Sequence, residues 1–181
     1  LTIGSGCVFK VEPVNANITI AGTLVANGTS AAPIVITDID DDSWGGDTTH
    51  NGPTTGGANH WNGVGISTTS TGSALTYVLV RHAGRNGVGG FDVMATATFD
   101  HCQVDECQSD GFDFNVQAGS LPIVSDCSVT NCGAVAYDNA LWQMLAGFHY
   151  NTASGNGGDY VRVGTTAVGA DSHVYRRSAP N

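Results

Sequence analysis

Five aspartates, Asp38, Asp40, Asp41, Asp42 and Asp47, fall within ten residues of this chain. Carboxylates that close together must either face water or share a hard cation. Calcium takes about six to eight oxygen ligands, and Gly45 and Gly46 let the backbone curl and offer carbonyls as well. The spacing is not that of an EF-hand, so donor chemistry alone ranks the ligands: Asp42, Asp47 and Asn51 first, then Asp40. The alternative is a solvated acidic loop. Cys102, Cys107, Cys127 and Cys132 form a C-x4-C…C-x4-C set that zinc could take. Asp110 and Asp113, with Asp105 and His101, are the carboxyl-rich group from which a glycosidase would draw its acid and base, unless they are simply polar surface. Trp44, Trp61, Trp142 and Tyr137 offer aromatic faces for sugar stacking, or cover for a core beneath long loops. Trp44 and Trp142 are the candidate glycan contacts.

The elements that must hold these groups are written as a repeat. Segments 75–83, 99–107 and 124–132 align with steps of 24 and then 25 residues. Leu75, Phe99 and Val124 share a column, as do Val78, Cys102 and Cys127, then Val80, Val104 and Val129, then Ala83, Cys107 and Cys132. A fixed period of this size marks a solenoid, whose repeats bury their apolar faces only by stacking. One parallel coil needs a crossover of a dozen or more residues, which such a period supplies. The cysteines thus replace Val78 and Ala83 of the preceding coil, which assigns them to small apolar slots and weighs against zinc. Stacked cysteines also approach disulfide distance, although in-register ladders rarely offer the required dihedral. Tyr77, His101 and Asp126, and likewise Arg81, Asp105 and Thr130, fall between the apolar columns and are expected to point outward. Arg81 over Asp105 is then a surface pair worth at most about 1 kcal/mol.

Composition narrows the function. Sixteen acidic residues against six basic ones give a net charge of −10, which repels nucleic-acid phosphates and anionic membrane surfaces. No run of about 18 apolar residues exists, so no membrane insertion is expected. A lyase acting on polyuronates would want lysine or arginine as base and charge neutraliser, and Lys10 with five arginines is a thin supply. The opening of the chain in strand pattern at Leu1 suggests a processed product or a piece of something longer. The sequons at Asn17 and Asn27 matter only if the producing cell glycosylates.

The first 37 residues run in short β-branched bursts ending in Gly, Asn or Pro. Here LTIGSG (1–6), Lys10, AGTLVANGT (21–29) and PIVIT (33–37) resemble the opening coils of secreted right-handed parallel β-helix proteins related in build to pectate lyases but of a non-catalytic surface type. DDSWGGDT (41–48), NGP (51–53) and HWNGVGI (60–66) resemble that family's insertion, with His60 where the family has Asp and a divergent Thr49 and His50. NTASGNGGDYVRV (151–163) is similar to its closing coil. The resemblance implies architecture and names no reaction; it also favours calcium in the acidic loop.

The expectation is an all-β, right-handed parallel β-helix: one domain over 1–181, of roughly seven coils of ~24 residues, with a Gly/Asp-rich insertion at 38–60. The expected role is a calcium-stabilised, non-catalytic structural module for surface assembly or adhesion, extracellular or at the cell surface. Because bare strand edges template pairing, it is expected to stack end to end with itself or with adjacent β-helix segments. A carbohydrate-active or carbohydrate-binding β-helix, with surface glycans as partners, is the alternative; a carboxylate trio converging in a groove would favour it.

Overall fold

The structure is a computed structural model and describes residues 1–12 and 15–164. Six coils of three short strands each wind through it. The first coil holds β1 (Thr2–Gly4), β2 (Val8–Val11) and β3 (Asn17–Ile20), and the second β4 (Val25–Asn27), β5 (Ile34–Asp38) and β6 (Gly63–Ile66). The third holds β7 (Ser73–Thr76), β8 (Val78–Arg81) and β9 (Phe91–Val93), and the fourth β10 (Ala97–Asp100), β11 (Gln103–Asp105) and β12 (Phe112–Phe114). The fifth holds β13 (Ile123–Ser125), β14 (Ser128–Thr130) and β15 (Val135–Ala140), and the sixth β16 (Phe148–His149), β17 (Thr152–Ser154) and β18 (Gly158–Val163). Each strand pairs in parallel with its equivalent one coil away, which makes three six-stranded sheets, led by β1, β2 and β3. The molecule is a parallel β-helix.

Among the described residues the coils number six, not seven, because the second is long. Val25 pairs with Ala74, 49 residues on, whereas Ala74 pairs with Thr98 after 24. The surplus is the 38–60 insertion, which leaves the wall at the end of β5 and returns at β6. The segment 171–181, read as a link to a following strand, lies outside the described residues.

All four apolar columns of the repeat are buried, and the two that lie within strands, Leu75/Phe99/Val124 and Val80/Val104/Val129, pair in register. Each such side chain contributes roughly 1.5–3 kcal/mol by leaving water. A further ladder runs up the third sheet, where Phe91, Phe112 and Tyr137 stack with ring centroids 5.0 and 5.5 Å apart. Tyr137 belongs to this core and donates its hydroxyl to the carbonyls of Cys127 and Thr152, so it is no sugar platform. The four repeat cysteines are buried free thiols. They do not converge as a zinc site would: each C-x4-C brackets a single strand, β11 or β14, and so places its two thiols at opposite ends of that sheet.

The two polar columns read from the sequence stay outside the core, half-buried or exposed, but the backbone at the first of them, and at a further column beside the second, is not that of a strand. Tyr77, His101, Asp126 and Tyr150 have φ between 48 and 54°, and His82, Glu106 and Asn131 between 53 and 59°. Both columns are one-residue corners in the left-handed region, where non-glycine residues are uncommon. A corner breaks strand alternation and turns its side chain relative to the flanking strands. The Tyr77 ring consequently stacks on His101 at 4.6 Å, and His82 is buried against the insertion.

Candidate functional site

The insertion folds back over the outer face of the second sheet and roofs a cleft of about 690 Å3 between itself and the wall. Its two ends are anchored in the core. At the exit Thr37 and Asp38 are buried at the end of β5; at the return Trp61 is fully buried and donates its indole N–H to the carbonyl of Arg81 at 2.9 Å. Trp61 therefore covers the core, as one of its two sequence readings has it. Between the anchors Lys10, the only lysine, donates to the carbonyls of Asp41 at 2.7 Å, Gly46 at 3.1 Å and Ile39 at 3.3 Å. Its ammonium thus occupies the carbonyl cradle that the glycines were expected to offer a metal.

Arg81 organises the cleft. It stands at the end of β8, opposite Asp105 on the next coil, and donates to Asp105 at 3.3 Å, to Asp41 at 2.7 Å and to Glu106 at 2.5 Å. His82 lies between two carboxylates, with Nε2 at 2.9 Å from Glu106 and Nδ1 at 3.7 Å from Asp41. Gly56 has φ +66°, and a Cβ there would come within 2.5 Å of the His82 ring, so the roof closes onto His82 only with glycine at that point. Burial alone would raise the Asp41 carboxyl, but the hydroxyls of Ser43 and Thr37, then Arg81, outweigh it and hold the group below the usual carboxylate range. The Arg81 and Asp105 pair is consequently not an exposed surface bridge, for Arg81 is only 16% exposed.

The four expected calcium ligands are not gathered around one point. Asp42 accepts from the amide and hydroxyl of Thr54 at 2.7 and 3.0 Å, with Lys10 at 3.9 Å from its other oxygen. Asp47 is exposed and caps its own turn, accepting from the amides of His50 and Gly52 at 2.6 and 3.1 Å. Asn51 donates to Asp40 at 3.3 Å, and its backbone amide also bonds Asp47. Among the described residues the group in this loop whose ligand atoms lie within 4.8 Å of one another is Asp38, Asp40 and His60. A second such group, Asp100, His101 and Asp126, sits on the corner between the first and second sheets.

The carboxylates read as glycosidase candidates are dispersed. Asp105 is on the second sheet and Asp113 on the third, where Asp113 accepts from Asn115 and Asn139, while Asp110 accepts from the Val135 amide. Burial, with help from Asp138 and Asp113, raises Asp110. The trio that does converge, on the Arg81 guanidinium, is Asp41, Asp105 and Glu106; Asp41 and Glu106, not foreseen in that role, line the cleft. Trp44 is half-buried and lines a pocket of about 220 Å3 with Tyr77, His101 and Gln103. Trp142 opens the 3-10 turn Trp142–Gly147, and its indole nitrogen is buried without a hydrogen-bond partner.

Fold and cleft together define a parallel β-helix with a polar loop clamped across one face. No family model, curated protein or solved structure matches the chain. No helix among the described residues is long and apolar enough to cross a membrane.

Proposed function

We propose that this chain is a non-catalytic structural module of an extracellular or cell-surface assembly, continued end to end by a further β-helix coil, supplied by another copy of itself or by an adjacent β-helix segment. The observation that carries the reading is the first-coil end. There the interior opens as a cavity of about 260 Å3 lined by apolar side chains, among them Leu1, Ile3, Phe9, Ile18 and Ile20. Leu1 is 79% and Phe9 37% exposed. Strands β1, β2 and β3 each lead a sheet and pair on one side only. Apolar mouth and three bare edges sit on one surface, and an occupant that fills the mouth while pairing all three edges must itself be a coil of this cross-section. A second copy offers one in β16, β17 and β18. The expected result is concentration-dependent association of the full chain in sedimentation velocity, weakened by Ile18→Lys or Ile3→Lys, which put a charge in the mouth. A monomer at all concentrations would rule out a second copy as the occupant of the mouth.

The converging trio favours a second, carbohydrate-directed reading only in part. Glycoside hydrolysis needs one carboxyl protonated while another is ionised. In this cleft a single guanidinium binds all three, and Asp41 is held ionised, so the trio reads better as a clamp than as an acid–base pair. Glycan binding at the pocket of Trp44, Tyr77 and His101 rests on aromatic faces beside polar groups. Quenching of Trp44 fluorescence by oligosaccharides, lost in His101→Ala, is the expected outcome if that pocket takes sugars; no quenching with any acidic or neutral glycan removes it.

A further inference from the structure

The geometry points to a site for a divalent transition-type cation, of the zinc or cobalt class, at Asp38, Asp40 and His60. This does not depend on end-to-end assembly. Asp38 ends β5 with its side chain wholly buried, and among the described residues it has no lysine or arginine partner. Two backbone amides, of Asp40 and Gly57, reach it at 3.3 Å each, which is long for a carboxylate. His60 presents Nδ1 to Asp38 Oδ2 as an ion-pair contact that is not aligned as a hydrogen bond. Two carboxylates and an imidazole thus meet at one point, each offering a ligand atom to the same small space.

Donor type decides the class of ion. Calcium prefers a cage of oxygens, whereas two carboxylates with one imidazole make a mixed oxygen and nitrogen set suited to zinc and its neighbours. The ligand atoms lie within 4.8 Å of one another, so that small side-chain rotations bring them to one ion with bonds of about 2.1 Å. The His60 side chain is 39% exposed, which leaves the remaining coordination positions to water and gives the ion a way in. The ammonium of Lys10 bonds to loop carbonyls and approaches Asp42, not Asp38, so it does not already neutralise this corner.

The test is titration of the tag-free full chain, at concentrations where it is monomeric, with Co2+ followed by its d–d absorption and with Zn2+ followed by thermal melting. One equivalent of Co2+ should bind, and the melting temperature should rise with Zn2+. His60→Gln keeps a hydrogen-bond donor beside Asp38 and should fold, yet weaken binding by about tenfold or more; Asp40→Asn should do the same. His101→Ala, in the other three-residue group, should leave binding unchanged. Failure to take up either ion, uptake indifferent to His60→Gln and Asp40→Asn, or uptake lost in His101→Ala would each overturn the proposal. Stabilisation by Ca2+ alone, undiminished in His60→Gln, would also overturn it and return the loop to an all-oxygen site.

Discussion

Arg81 is where a single side chain matters most. It satisfies three carboxylates, two from the next coil and one from the insertion, and removing one partner of a buried ion network leaves charge without compensation. Arg81→Met should cost about 3–5 kcal/mol in urea unfolding at neutral pH. Arg81→Lys should recover only part of that, because an ammonium lacks the planar fork that bonds Asp41 and Glu106 together. A loss below about 1 kcal/mol would mean the network is no more than a surface bridge. The pH dependence has a definite sign. Asp41 has a folded pKa below its unfolded value of 3.8, so its ionisation adds stability above that value, and this is lost as pH falls through the folded one. The cost of Arg81→Met should therefore shrink in acid. Half of this cluster was legible beforehand: Arg81 over Asp105 follows from the coil period. Asp41 was not, because an aperiodic loop brings it back from 40 residues away. His82 and Glu106 were missed for another reason, since left-handed corners do not follow strand alternation. Their signal was available in the repeat, where His82, Glu106 and Asn131 fill one polar column beside Ala83, Cys107 and Cys132.

At the scale of the elements, the third sheet carries a column of like charge. Asp92 pairs in register with Asp113, and Asp113 with Asp138. Arg162 bonds Asp138 at one end of the column, and the amide of Asn115 bridges Asp92 and Asp113. Burial first, and the charge of Asp113 with it, raises the Asp92 carboxyl despite the Asn115 bond. A raised carboxyl opposes folding once it ionises: its stabilising contribution is present below the unfolded pKa and lost as pH rises through the folded one. Asp92→Asn should accordingly stabilise the protein at neutral pH by roughly 0.2–1 kcal/mol, the size of a cross-strand charge pair, with the gain vanishing in strong acid. Equal stability of variant and parent at pH 7 would count against it. The apolar ladders were legible because burial enforces a strict period; this acidic column was not, since its aspartates lie outside the segments that repeat most clearly. The cysteine slots belong to the legible part, and they make a chemical forecast. Burial pushes the Cys102 thiol up, and Cys107, Cys127 and Cys132 are equally enclosed, whereas Cys7 is exposed. One thiol should react promptly with a disulfide reagent in the native protein and the other four only on unfolding.

A solenoid has no single centre, so its stability is distributed as contacts between neighbouring coils and is lowest where a coil has one neighbour. The third to fifth coils contain the phenylalanine and cysteine ladders and are covered on both sides. The first coil has a neighbour on one side only, and its interior residues Ile3, Ile18 and Ile20 are but partly buried. Lys10 complicates this gradient, because it ties β2 to the insertion through three loop carbonyls and so fastens one corner of an otherwise open coil. Amide hydrogen exchange on the dilute full chain should therefore find β7 to β15 most protected, β1 and β3 exchanging fastest, and β2 between them. Lys10→Met should bring β2 down to the level of its neighbours without changing the middle coils. Raising the protein concentration gives the sharper contrast, since a coil docked on the mouth would pair the edges of β1, β2 and β3 together. Their protection should then rise in step, as one surface. If the three strands are already as protected as the middle coils at high dilution, the first coil is self-sufficient and its exposed apolar mouth is not a docking surface.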